Sequence, residues 1–228
     1  MENIWRDSLV LALDLDEKRD ALSIASSLNP FFGIVKVGLQ LFSNVGPEII
    51  SELKSINLKV FIDLKLFDIP NTVYSATKAL AKLGVDFITV HLSGGEEMVL
   101  ACKEGVRDGL IVGSAPTTVL GVTVLTSEPQ ATEATMTERL SIAKNTNIEG
   151  VVCASSDLKF VNNFVPNLLT LVPGIRLKGN ENNDQKRVAT PSEAFKSGAD
   201  FIVLGRSITN SPNMIDAAKR VLENLKNG

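Results

Sequence analysis

Eight short apolar runs, each followed by a helical stretch or a long loop, leave a chain of this kind few ways to fold. They fall at about 9–14 (LVLALD), 33–37 (GIVKV), 59–64 (KVFIDL), 86–91 (DFITVH), 118–125 (TVLGVTVL), 149–153 (EGVVC), 168–172 (LLTLV) and 200–204 (DFIVL). Most are continuously hydrophobic rather than alternating, the pattern of parallel strands covered on both faces. Between them, 71–83 sets Val73, Ala76, Leu80 and Leu83 on one helical face, and 192–197 and 213–225 show similar apolar spacing with Lys and Glu outward. Gly84, Gly150 and Gly198 stand between helix and strand and are expected to end helices. The phrases AKLGVDFITV and FKSGADFIVL read as one helix–Gly–Asp–strand joint written twice. The expected fold class is therefore α/β, a single (β/α)8 TIM barrel over residues 1–228, with its active site at the C-terminal ends of the strands. A doubly wound open sheet is disfavoured, because the first strand ends in Asp14 and no GxGxxG follows it.

Composition narrows the partners. With 228 residues, 44% of them hydrophobic, the chain can bury a core without disulfide or metal staples. A net charge of −3 and a pI near 5.3 offer no basic footprint for nucleic acid. No apolar run approaches the ~18 residues of a membrane span, and the acid-containing N-terminus does not read as a signal peptide. Cys102 and Cys153 lack CxxC or metal-ligand spacing and read as reduced thiols of an intracellular protein. The expectation is a cytoplasmic chain with no nucleic-acid or membrane partner, able to take a small phosphorylated metabolite.

Polar residues that break apolar strands near their C-terminal ends carry the functional information. Strand one ends in Asp14, strand two is interrupted by Lys36, and strand three ends in Asp63-Leu64-Lys65 with Asp68 three residues on. Asp63 and Lys65 are two apart, which along a strand points both to one side. A charge buried alone is costly, so such groups need partners. An alternating Lys36–Asp63–Lys65–Asp68 set would neutralise itself while staying chemically poised; the bland alternative is a group of ion pairs closing the barrel mouth. Arg176 and Arg206 follow strands seven and eight, whose loops commonly form the phosphate site of such barrels. Arginine suits phosphate through its bidentate fork. The polar stretch 176–190 between them reads as a mobile loop.

The run DLKLFDIPNT at 63–72 matches DxKxxDIxNT at every defining position, and the chain resembles the orotidine 5′-monophosphate decarboxylase family on that ground. Further matches are ALD ending in Asp14, VKVG around Lys36, VTVLTS around Thr126, PGIR ending in Arg176, Gln185, and LGRSIT around Gly205 and Arg206. The resemblance implies a cofactor-free and metal-free decarboxylation of orotidine 5′-monophosphate to UMP, in pyrimidine biosynthesis. It implies Lys65 as the proton donor to C6, Asp63 against the departing carboxylate, and Lys36 and Asp68 holding that pair charged. Asp14 and Lys36 would bind ribose hydroxyls, and Thr126 falls at a substrate-binding position. Gln185, Arg206 and the backbone at Gly205 would take the phosphate, with Arg176 at another phosphate-site position. It also implies a homodimer in which Asp68 and Thr72 enter the neighbouring subunit's site. The loop 178–187 would close over bound phosphate, Gln185 reaching in.

Two rival readings differ in chemistry. Hexulose-phosphate synthases and keto-gulonate-phosphate decarboxylases share the DxKxxD core but bind Mg²⁺ through an acidic residue at the end of strand two, where this chain has Lys36, a cation unsuited to a hard metal. A barrel that only binds nucleotides would be expected to lose so costly a charged cluster. His91, the single histidine, ends strand four without an evident orienting partner and is expected to be structural. Tyr74 is expected at the surface or a subunit contact.

Overall fold

The computed structural model describes residues 4–125, 132–177 and 189–228. Thr126, Gln185 and most of the polar loop of the sequence reading lie outside these residues. The eight expected strands form: β1 (Leu9–Ala12), β2 (Ile34–Gly38), β3 (Lys59–Leu66), β4 (Phe87–His91), β5 (Thr118–Val122), β6 (Gly150–Val152), β7 (Leu169–Val172) and β8 (Phe201–Leu204). All neighbouring pairs are parallel, and β8 pairs with β1 to close the barrel.

The continuous apolar runs are explained by burial on both faces. In β1, Val10 and Ala12 point into the barrel lumen with Ile34, Phe61, Phe87, Leu120, Val152, Leu171 and Val203. Leu9 and Leu11 point outward into a second and larger layer beneath the helices. Each Val, Leu, Ile or Phe side chain so buried contributes about 1.5–3 kcal/mol of transfer free energy before entropy is counted. The lumen is filled at its lower end by rings: Phe61 and Phe201 both meet Phe87 edge-on, with centroids 6.2 and 5.5 Å apart. The barrel is therefore a packed core with room for a ligand only at its upper end.

Local signals account for the helices. Pro70 opens the helix Pro70–Ala81 at its first turn, where a missing N–H costs nothing. Its buried face is Val73, Thr77, Leu80 and Ala81; the expected Leu83 lies beyond the helix and is 40% exposed. Thr190 and Glu193 form a reciprocal capping box on Pro191–Lys196. Gly84 and Gly198 have positive φ just past helix ends, as expected. Gly150 does not end a helix. It begins β6, and the left-handed cap of Glu133–Thr146 is Asn147, a residue that tolerates this conformation.

Gly105 serves close approach instead. On the helix Gly95–Gly109, a Cβ there would stand 2.1 Å from Thr77 Oγ1 and 2.3 Å from the Tyr74 carbonyl oxygen of Pro70–Ala81. Gly105→Ala is expected to lower stability by about 1–3 kcal/mol through overpacking, read as a lower urea midpoint at constant slope. An unchanged midpoint would mean that the two helices separate at no cost.

Candidate active site

Alternation along the strands builds the site. Lys36 continues the inward column of Ile34 in β2, and Asp63 continues that of Phe61 in β3. Strand register sets Lys36 beside Ala12 on one side and Phe61 on the other, and Gly38 beside Asp63. Gly38 also leaves room for the ammonium, since a Cβ there would lie 2.9 Å from Lys36 Nζ.

The charged groups meet above the ring-filled floor. Lys65 Nζ lies 2.7 Å from Asp63 Oδ2, and Lys36 Nζ lies 3.6 Å from the same oxygen. Lys36 Nζ also donates to Asp14 Oδ1 at 3.0 Å. The Asp63 and Lys36 side chains are 11% and 12% exposed, against 33% for Lys65 and 46% for Asp14, so the chain of charges runs from the lumen toward solvent. Thr89 Oγ1 donates to Asp63 Oδ1 at 3.0 Å. Burial by itself would push the Asp63 carboxyl up. The Lys36 and Lys65 charges, together with the Lys65 and Thr89 hydrogen bonds, outweigh it and hold Asp63 below its ordinary range.

These groups line one side of a cavity of about 260 Å³ at the C-terminal ends of the strands. Its floor is apolar, from Phe61, Val122, Val152, Leu171 and Val203, and Arg176, Gly205 and Arg206, which follow β7 and β8, complete its lining. The Arg176 N–H donates to the Ala189 carbonyl at 2.9 Å, and Ile175 bridges Ala189, so the two stems flanking 178–188 are joined at the cavity rim. The arrangement suits an elongated ligand with a phosphate at the arginines and an anionic or polar group at the lysines.

Seven of the residues singled out from the sequence, Asp14, Lys36, Asp63, Lys65, Arg176, Gly205 and Arg206, line this cavity. Asp68 and Thr72 do not. Asp68 is exposed and accepts its own chain's Ile69 N–H at 2.7 Å, and Thr72 is exposed in the first turn of Pro70–Ala81. His91 meets Phe67 edge-on at 5.9 Å. Tyr74 donates to Asp108 at 2.9 Å. Sequence reasoning missed three residues. Cys153 and Ser207 line the cavity, and the Ser207 hydroxyl is buried with no hydrogen-bond partner among the described residues. The third is Thr89, a hydroxyl set two residues from Phe87 on the inward face of an apolar strand; that alternation was the signal available.

A closed parallel barrel with paired lysines and carboxylates at its strand ends is a (β/α)8-barrel enzyme. The chain belongs to the orotidine 5′-phosphate decarboxylase / HUMPS family, whose model matches residues 7–221. It is 41% identical over 229 residues to an orotidine 5′-phosphate decarboxylase of Bacillus cereus (strain 03BB102), covering 94% of this chain and 95% of the relative. It is 38% identical over 225 residues to that of Lawsonia intracellularis, covering 95% and 98%. Among solved structures, orotidine 5′-phosphate decarboxylase from Lactobacillus acidophilus superposes with a TM-score of 0.82 at 34% identity, covering 96% of this chain and 99% of that one. The resemblance read from residues 63–72 and the barrel expectation are both borne out.

Proposed function

We propose that the chain decarboxylates orotidine 5′-monophosphate to UMP and CO₂. The observation that carries this reading is the Lys36–Asp63–Lys65 array, with Nζ–O distances of 3.6 and 2.7 Å at the rim of an apolar floor. The C6–carboxylate bond breaks heterolytically, CO₂ leaves, and the electron pair stays at C6 in the ring plane. Lys65 then delivers a proton to C6 and recovers one from solvent. No ring π-system receives the pair, so fixed cations must stabilise it.

Magnitudes divide the work. Asp63 and the substrate carboxylate about 4 Å apart, at an effective dielectric near 20, repel by roughly 4 kcal/mol. Enzymatic accelerations correspond to roughly 8–23 kcal/mol. Repulsion relieved as CO₂ departs is therefore one contributor. The Lys65 ammonium, and binding energy drawn from the remote phosphate at Arg206, Arg176 and the Gly205 backbone, carry the remainder. Asp14 and Lys36 bind the ribose hydroxyls in this reading. Thr126 and Gln185 are assigned to the substrate by family resemblance alone.

Asp68 and Thr72 act in a neighbouring subunit's site. Support comes from their exposure and from Phe67 and Ile69, which flank Asp68 and are 61% and 66% exposed. Large side chains so exposed beside a site are what a second copy would cover.

Absorbance of orotidine 5′-monophosphate, followed with purified protein in the presence and absence of EDTA, tests the reaction. Loss of substrate with UMP formed at the same rate in both is the expected result. Loss that EDTA abolishes would point to a metal-dependent chemistry, and binding of UMP without turnover to a barrel that only binds nucleotides.

A further inference from the structure

Strands β3 and β4 do not keep one register. Ile62 pairs with Ile88, but the next pair is Leu66 with Val90. Three residues of β3, Asp63, Leu64 and Lys65, thus stand opposite one residue of β4, Thr89. Within this excursion Lys65 adopts φ 48°, the left-handed region that residues bearing a Cβ seldom occupy. Such backbone persists only where the surroundings over-determine it.

Thr89 supplies the determination. The Lys65 N–H, taken out of the ladder, donates to Thr89 Oγ1 at 2.9 Å, and that hydroxyl donates onward to Asp63 Oδ1 at 3.0 Å. The other Asp63 oxygen takes Lys65 Nζ at 2.7 Å. A ring of contacts is closed: Lys65 backbone, Thr89 hydroxyl, Asp63 carboxylate, Lys65 ammonium. Thr89 is 0% exposed and is not among the residues lining the cavity. A hydroxyl can accept from the amide and donate to the carboxylate through one and the same oxygen, which the isosteric methyl of valine cannot do.

We propose that Thr89 is the positioning residue of this site, its hydroxyl fixing the Lys65 backbone and the Asp63 carboxylate against each other so that the ammonium is held at one point above the apolar floor. The inference rests on the decarboxylase reading. It acts through Asp63 and Lys65, so its loss changes the chemical step and leaves binding at the distant arginines alone.

Thr89→Val keeps the shape and removes the hydroxyl, while Thr89→Ser keeps the hydroxyl and removes the methyl. Steady-state decarboxylation by the full-length variants is expected to show kcat of Thr89→Val lowered about 10- to 100-fold, the cost of a small misplacement at a reacting centre. KM should be unchanged and Thr89→Ser close to wild type. The acid limb of kcat in Thr89→Val should also move to higher pH. Asp63 faces Lys36 from β2, Lys65 from its own strand and Thr89 from β4, and losing one hydrogen bond that lowers its pKa raises it. An unchanged kcat and pH profile in Thr89→Val would overturn the proposal while leaving the decarboxylase reading intact. Absence of decarboxylation by the wild type would remove both. Should Thr89→Val fail to fold, Thr89→Ala takes its place, and equal kcat for the Ala and Ser variants would overturn the proposal.

Discussion

Lys65→Ala is expected to lower decarboxylation by about 10⁴-fold or more, since in the proposed mechanism it removes both the general acid and the cation nearest the developing charge. The side chain lies 2.7 Å from Asp63 and is 33% exposed, and it lines the same cavity as Arg176, Gly205 and Arg206, the groups proposed to take the phosphate. UMP carries no C6 carboxylate, so its affinity should stay near that of the wild type. Loss of turnover with UMP binding retained separates the chemical step from recognition; a variant that keeps wild-type turnover would sink the assignment of Lys65. The same variant tests the proposed homodimer and its shared site. Mixed one-to-one with Asp68→Ala after unfolding and refolding, it should regain about a quarter of wild-type activity, because half the dimers are hybrids with one intact site. No recovery above the two parents would place Asp68 in its own subunit's site or outside catalysis.

Arg206→Ala should reduce kcat/KM about 10²- to 10³-fold, within the roughly 2–5 kcal/mol expected when one partner of a charged contact is truncated. The loss should vanish for orotidine lacking its phosphate, which wild type and variant would turn over equally slowly. That comparison isolates the phosphate contact from any wider disturbance of the helix Arg206–Thr209. If the variant turned over the phosphate-free compound more slowly than the wild type, Arg206 would be supporting the fold of the cavity instead.

The barrel was legible because its strands are buried on both faces. Eight continuous apolar runs can hardly be arranged otherwise, and all eight form strands within or next to the spans read from the sequence. Lys36, Asp63 and Asp14 were legible for the same reason: a charge at the end of an apolar strand is conspicuous. The relation of Asp63 to Lys65 differs from the one their spacing predicts. Regular alternation would set them on one face, but the strand leaves its register there, and Lys65 turns through left-handed backbone before its ammonium returns to Asp63. Thr89 was hidden because a threonine in a β-branched run reads as strand propensity; its alternation with Phe87 marks it as inward-facing, and the pairing of β3 with β4 then shows its hydroxyl as a bridge. Gly150 was misread because glycine marks a helix end no more strongly than a crowded strand: a Cβ there would lie 2.6 Å from the Leu169 carbonyl oxygen.

Closure of the barrel by β1 against β8 carries a consequence for how the chain is made. Val10 pairs with Val203, partners separated by nearly the whole length of the chain. A nascent chain on the ribosome holds β1 long before Phe201–Leu204 emerges. Until then the growing sheet has two open edges of apolar residues, the kind of surface that recruits other strands. Contacts so distant in sequence also form late and slowly. Synthesis of β8 is thus the step that seals the barrel against aggregation, and a ribosome stalled before it would release a sheet with its first strand unpaired on one side.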